Sequence, residues 1–229
     1  MIDVRTIGQL WSVLRVTWKK RKYVREVCDY LDIERDTFYT LAQKATELHG
    51  SDFYNKEEAN AYIAHLVWYN RILHDRDHTW ARLVPIVRKF SRPEVLEYGC
   101  GTGCLTQYLQ EMGPPFVSFA YDIPSQTLGF AKWRLKETQF LDCLDGPRSF
   151  DIVLCMSVLE HIPLGECWET LRLLEQFSRR VLIVNFVTGP RMGHLSETQA
   201  EFPKMERYLD ERFTVKSPLW APDLFAYER

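Results

Sequence analysis

The chain of 229 residues is poor in the features that mark many protein classes. Its six cysteines (Cys28, Cys100, Cys104, Cys143, Cys155 and Cys167) form no CxxC pair and no disulfide-framework spacing. Several sit in apolar runs such as Ile152–Met156, where a thiol behaves as a small hydrophobe. A reducing, cytoplasmic setting is therefore expected. No run approaches the ~18–20 uninterrupted apolar residues of a spanning helix. The opening MIDVRTIGQLW lacks a basic stretch followed by an apolar one, so neither a secretion leader nor membrane insertion is expected. Excess charge is missing too. A formal net charge of −2 gives no bulk attraction for nucleic acid or for an acidic surface. There is no internal repeat and no low-complexity tract. What remains is a chain with 46% hydrophobic and 14% aromatic residues, enough for a sizeable core in one large domain with or without an extension.

Two regions differ in rhythm. Residues 1–90 read as helical: Ile7, Leu10 and Leu14 recur at helical spacing, as do Ala61, Ala64, His65, Trp68 and Ile72. His49-Gly50-Ser51 marks a break, and Ser91-Arg92-Pro93 ends the region, because the residue before proline leaves the α basin. From 91 to 229 short β runs alternate with helices. Strands are expected at Glu94–Tyr98, Phe116–Tyr121, Gln139–Leu141, Phe150–Met156 and Val181–Phe186. Helices are expected at Leu105–Met112, Ser125–Lys136, Glu166–Ser178 and Pro203–Arg212. Thr188–Phe202 reads as a long loop, and Phe213–Ser217 with Asp223–Glu228 as a terminal hairpin through Pro218–Pro222. Alternating β and α elements predict a doubly wound, Rossmann-like, mostly parallel sheet, with ligands at the strands' carboxyl ends.

The segment Val95-Leu96-Glu97-Tyr98-Gly99-Cys100-Gly101-Thr102-Gly103 follows a strand and precedes a helix. Glycines at alternate positions let the backbone turn sharply, approach a ligand closely and present helix N-terminal amides to it. A plain tight connection would use glycines in the same way. A dinucleotide fingerprint is the rival functional reading, but the third glycine of G-x-G-x-x-G would fall at Cys104, and the pattern here is G-x-G-x-G. Glu97 would repel a pyrophosphate and attract an amino group. Nineteen residues after Gly103, Asp122 stands at the end of the second strand, where an acid can grip ribose hydroxyls. The alternative is a cap on the helix that Ile123-Pro124 opens, and the pairing with the glycine turn favours the ribose role.

These residues resemble motif I of the class I S-adenosylmethionine (SAM)-dependent methyltransferases, E/D-x-G-x-G-x-G. Phe150-Asp151-Ile152-Val153 resembles the family's fourth strand, and Cys155-Met156-Ser157-Val158-Leu159-Glu160-His161-Ile162 a segment of its small-molecule subgroup. The resemblance covers about residues 93–229. It implies a seven-stranded sheet, SAM as cofactor and methyl transfer to a small-molecule acceptor, with residues 1–90 as a helical cap. It implies that Glu97, Gly99 and Gly101 hold the methionine portion, that Cys100 and Gly103 also belong to the cofactor site, and that Asp122 with Ile123 holds the ribose and adenine. Asp142 and Cys143 would flank the adenine, and Ser157 or Val158 would close over the sulfonium end.

If the acceptor is a protonated oxygen or nitrogen, a base is needed, and His161 past the fourth strand is the best placed. Tyr69, His78, Trp80 and His194 are candidates for the acceptor pocket. His74 and His78 share a helical face at a spacing that can bind metal, but flanking aspartates and arginines suit a salt-bridged turn as well, and no metal is expected. Lys19-Lys20-Arg21-Lys22 is a lone basic run, read as a solvated face and not as a nucleic-acid site. Two alternatives stand beside the methyltransferase: an NAD(P)-dependent oxidoreductase on a similar fold, and a SAM-binding regulatory protein without transfer activity.

Overall fold

A computed structural model describes residues 20–45, 58–73, 77–144, 146–189, 194–220 and 223–229. The helical readings at Ile7–Leu14 and the pair His74/His78 fall on residues outside this set or on side chains it does not cover, as does Lys19. The described part of the N-terminal region is helical: α1 (20–31), α2 (Arg35–Lys44), α3 (Ala59–Trp68), a π turn (Tyr69–Leu73), α4 (Asp77–Trp80) and α5 (Val84–Arg88). Then follow β1 (Glu94–Tyr98), α6 (Cys104–Met112), β2 (Val117–Tyr121), α7 (Gln126–Arg134), β3 (Gln139–Phe140) and β4 (Phe150–Cys155). The last elements are a 3₁₀ turn (Leu159–His161), α8 (Leu164–Phe177), β5 (Ser178–Asn185), α9 (Ser196–Asp210), β6 (Val215–Trp220) and β7 (Leu224–Glu228). No helix among the described residues is long and apolar enough to cross a membrane.

The described strands form one seven-stranded sheet in the order β3-β2-β1-β4-β5-β7-β6. Strands β1 to β5 pair in parallel, and β7 runs antiparallel between β5 and β6. The order reverses between β1 and β4, which opens a crevice at their carboxyl ends.

Both faces of the sheet are covered, and the period of two along each strand sorts side chains between them. Val95, Ile152, Leu154, Val181 and Ile183 face a core shared with α1, α3, α5, α6 and Phe130 of α7. Leu96, Val153, Cys155, Leu182 and Val184 face the other side, against α8 and α9. Each such buried aliphatic side chain contributes about 1.5–3 kcal/mol relative to exposure. The N-terminal helices thus share one continuous core with the sheet. Polar ties reinforce this packing. Lys22 Nζ reaches Glu111 Oε1 of α6 at 2.6 Å, and Arg134 Nη2 of α7 reaches Glu26 Oε2 at 2.7 Å.

Two elements differ from the expectations. Thr188–Phe202 is not all loop, because α9 begins at Ser196 and carries Pro203 in its interior. A mid-helix proline costs ~3 kcal/mol, but Thr198, Phe202, Met205 and Leu209 make a buried stripe whose apolar burial offsets that. The expected hairpin is longer on its first strand, with Pro218 inside β6. β6 is an edge strand with a bulge between Pro218 and Trp220, which is where a sheet tolerates a residue lacking an N–H.

Candidate active site

The crevice beside β1 and β4 is a cavity of about 540 Å³. That volume lies within the ~300–1,000 Å³ typical of small-molecule sites. Its floor is built from the β1–α6 turn. The amides of Gly99 and Cys100 donate to Tyr121 O at 2.8 and 3.2 Å, which fastens the turn to the end of β2. Gly99 has φ +72°, and a Cβ there would stand 2.3 Å from Val158 Cγ2. Only glycine fits both the left-handed backbone and the close approach.

Glu97 is 5% exposed and has a task that the sequence did not suggest. Its Oε2 accepts the amide of Thr106 at 3.0 Å and the Thr106 hydroxyl, so it caps α6 from outside the helix. Burial pushes its carboxyl up to about 7, against the pull of those two donors, and nearby Asp122 adds to the rise. Asp122 Oδ2 accepts the amide of Gly101 at 2.5 Å and Oδ1 that of Ile123 at 2.7 Å. Burial raises the Asp122 carboxyl as well, opposed by these amides. Asp122 does not cap α7. That place belongs to Ser125, whose Oγ accepts from Leu128 N at 3.2 Å. Each Asp122 oxygen retains acceptor capacity toward the cavity.

The opposite wall comes from the end of β4. Ser157 sits at φ +57°, uncommon for a residue with a Cβ. Its amide donates to Asn185 Oδ1 at 2.7 Å, so the end of β5 holds the turn in place. Val158 packs on Gly99, and the exposed His161 lines the rim. On the helical side the lining includes Leu66 and Tyr62 of α3, Tyr69 of the π turn, and Trp80 of α4. Leu66 Cδ1 would be 3.8 Å from a Cβ at Gly101, so that glycine lies under the helical roof. The charge of the lining is one-sided. Glu97, Asp122 and Glu166 face the cavity, and among the described lining residues there is no lysine or arginine.

The structure therefore brings together Glu97, Gly99, Cys100, Gly101, Asp122, Ile123, Ser157, Val158, His161, Tyr69 and Trp80. Other candidates lie elsewhere. Asp142 is 93% exposed on its side chain and faces Lys132 at 3.6 Å. Cys143 is exposed as well, and neither residue lines this cavity. Gly103 lies beneath the floor, where a Cβ would stand 2.4 Å from Leu135 Cδ1, so packing against α7 sets that position. His194 is behind the rim, its ring 5.0 Å from that of His161. The side chain of His78 is outside the described residues. Thr106, Asn185 and Tyr62 were missed. Asn185 alone left a trace, as a polar residue ending an apolar strand.

Residues 72–181 match a protein family described as "Methyltransferase domain". Over 80 residues the chain is 30% identical to a ubiquinone biosynthesis O-methyltransferase of Colwellia psychrerythraea, covering 31% of this chain and 32% of that protein. An uncharacterised Synechococcus protein is 32% identical over 85 residues, 32% of this chain and 20% of the relative. The chain thus spans about a fifth to a third of these curated relatives. Among solved structures, magnesium protoporphyrin IX methyltransferase of Synechocystis with bound SAM superposes with a TM-score of 0.57 at 16% identity, over 78% of this chain and 94% of that one. A second, PigF with SAH, gives a TM-score of 0.56 at 15% identity, over 78% of this chain and 61% of its own. Residues 72–181 thus match a methyltransferase domain, and the sheet order with the glycine turn at its switch point gives the chain the fold of these SAM- and SAH-bound methyltransferases.

Proposed function

We propose that the protein transfers a methyl group from SAM to a small-molecule acceptor. The observation that carries this reading is the sign of the cavity: carboxylates on the floor and no lysine or arginine among the described lining residues. A dinucleotide pyrophosphate needs donors and positive charge, whereas SAM brings an ammonium and a sulfonium, which carboxylates attract. Glu97 would face the ammonium, the glycine turn would admit the methionine portion, and Asp122 would accept from the ribose hydroxyls. Exposed Ile123 would cover the adenine. The bound sulfonium supplies the activated methyl group, so the protein's task is alignment and exclusion of water.

The end of β4 and the helical side then face the reacting methyl. Tyr69 and Trp80 would receive the acceptor, and His161 at the rim is the group that would deal with its proton. Residues 1–90 serve in this reading as the cap on the acceptor side, and 91–229 as the cofactor domain. Cys100, Cys104, Cys155 and Cys167 are buried as thiols, which supports a reducing compartment such as the cytoplasm.

Calorimetry with SAM, S-adenosylhomocysteine and NADH tests the assignment. One-to-one binding of the first two and no heat with NADH is expected. Binding of NADH, or silence with both sulfur ligands, refutes it. Transfer of labelled methyl to a panel of hydroxylated and amino metabolites then separates an enzyme from a regulatory SAM binder.

A further inference from the structure

Glu160, His161 and His194 meet at the rim of the cavity although they are far apart in sequence. One ligating atom from each lies within 4.8 Å of the others. Glu160 Oε1 is 3.9 Å from His194 Nε2, and the two imidazoles meet edge to face with centroids 5.0 Å apart. Around a tetrahedral cation with bonds of about 2.0–2.2 Å, ligand atoms stand roughly 3.3–3.6 Å apart. Small rotations of these side chains close that gap.

The backbone beneath the cluster is laced together. Leu195 N donates to Glu160 O at 2.9 Å, and Thr198 Oγ1 to Ile162 O at 2.8 Å, which docks the start of α9 on the 3₁₀ turn. His161 N donates to Val158 O at 3.0 Å. The other nitrogen of His194, Nδ1, lies 3.3 Å from Gly189 O and 2.9 Å from the Gln199 amide. With Nε2 on a cation, Nδ1–H would donate to the Gly189 carbonyl, and Gln199 Nε2, which donates to Val187 O at 2.9 Å and Gly189 O at 3.1 Å, would move off Nδ1. This is the outer contact that fixes the tautomer of metal-bound histidines. Glu160 is 1% exposed, whereas His161 is exposed and lines the cavity. Three protein ligands, one of them at the cavity wall, leave a coordination position open toward the acceptor side.

We propose that Glu160, His161 and His194 form a binding site for a first-row divalent cation of the Zn²⁺ type, whose open position takes the oxygen of a hydroxyl-bearing acceptor. Two imidazoles and a carboxylate suit borderline cations better than Mg²⁺ or Ca²⁺. Coordination lowers the pKa of a bound O–H by many units (water falls from 15.7 to ~7 on zinc), and the proton leaves to solvent. The acceptor class narrows to alcohols and phenols, and His161 acts on the acceptor through the cation. This rests on the methyltransferase reading above. It departs from the expectation of no metal, because the ligands come from a 3₁₀ turn and a distant helix start with no telling spacing.

The test uses the full chain, stripped with a chelator and titrated with Co²⁺ as a visible probe. Expected are d–d bands that saturate at one equivalent and vanish on adding Zn²⁺. His161→Ala and His194→Ala should each weaken Co²⁺ binding at least about 100-fold, more than the 10–100-fold typical of losing only an outer contact. Catechol, as a hydroxylated probe, should shift the bands. S-adenosylhomocysteine binding is measured on the same samples. Absent bands in the wild type, or bands unaltered by His161→Ala, with that binding intact, overturn the site and leave the methyltransferase reading standing. Bands that ignore catechol overturn the oxygen-acceptor role. Intact Co²⁺ binding without any S-adenosylhomocysteine binding overturns that role together with the methyltransferase reading. Because His161 is exposed, its alanine variant keeps the test decisive even if His194→Ala fails to fold.

Discussion

Replacing Glu97 by glutamine separates the ionisation of this group from its shape. Burial lifts the Glu97 carboxyl from its ordinary 4.5 to about 7. In the unfolded chain the proton is lost near 4.5, while the folded chain holds it until about 7, so the folded state binds more protons across that window. Stability therefore falls as pH rises from 4.5 to 7 and levels off above it. At 1.36 kcal/mol per pKa unit the full loss is about 3 kcal/mol. Glutamine keeps an oxygen for the Thr106 amide, which Glu97 Oε2 accepts at 3.0 Å, and cannot ionise. The difference in unfolding free energy, variant minus wild type, should thus move toward the variant by about 2–3 kcal/mol between pH 5 and pH 8.5. Urea denaturation at four pH values measures it. A bound ammonium reverses the preference, because it favours the ionised carboxylate. Wild-type affinity for S-adenosylhomocysteine should then drop up to tenfold per pH unit below 7, and that of Glu97→Gln should be low and flat near Glu97's titration. A stability difference independent of pH would falsify the claim that Glu97 is a strained carboxyl.

Gly99→Ala places a methyl group 2.3 Å from Val158 Cγ2 at φ +72° and should cost about 1–3 kcal/mol, with partial recovery in the double variant with Val158→Ala; an unchanged urea midpoint contradicts this. Asp122→Ala should weaken SAM binding 10-fold or more, since losing charge-assisted hydrogen bonds costs about 1.5–3 kcal/mol; an unaltered Kd removes the ribose role. Arg71 is 3% exposed, and its guanidinium lies 4.3, 5.3 and 5.4 Å from the ring centres of Tyr23, Trp80 and Tyr108. Arg71→Ala should lower stability by about 2 kcal/mol or more, read by chemical denaturation; a neutral result means that the cage does not bind the helical region to α6.

How much of this was legible depended on whether the information was local. The strand Glu94–Tyr98 is found at its expected bounds because an apolar run stops at a glycine turn. The floor residues followed from the same turn, since positive φ and close approach write themselves as glycine. Gly103 shows the limit. It completes the motif, yet what demands it, beside its φ of +71°, is Leu135 just past α7, a packing partner that no motif names. Asp142 was placed by counting from a strand of two residues, and such a short element gives little register. The α9 boundary was lost because Pro203 reads as a start signal when the stripe from Thr198 to Leu209 is not weighed against it. The lacing of Leu195 and Thr198 onto the 3₁₀ turn joins segments that the sequence keeps apart, so the company of His161 and His194 could not be read in advance.

The π turn at Tyr69–Leu73 sets a reading frame for the roof of the cavity. Its wider winding holds one residue more than an α turn, and it delivers Tyr69 to the cavity and Arg71 to the aromatic cage from neighbouring positions. Deleting a single residue there would restore regular winding and remove the extra position, so Tyr69 and Arg71 could not both keep their places. Substitutions in this stretch alter one contact each, whereas a change of length would part Tyr69 from Arg71 and so uncouple the cavity wall from the cage.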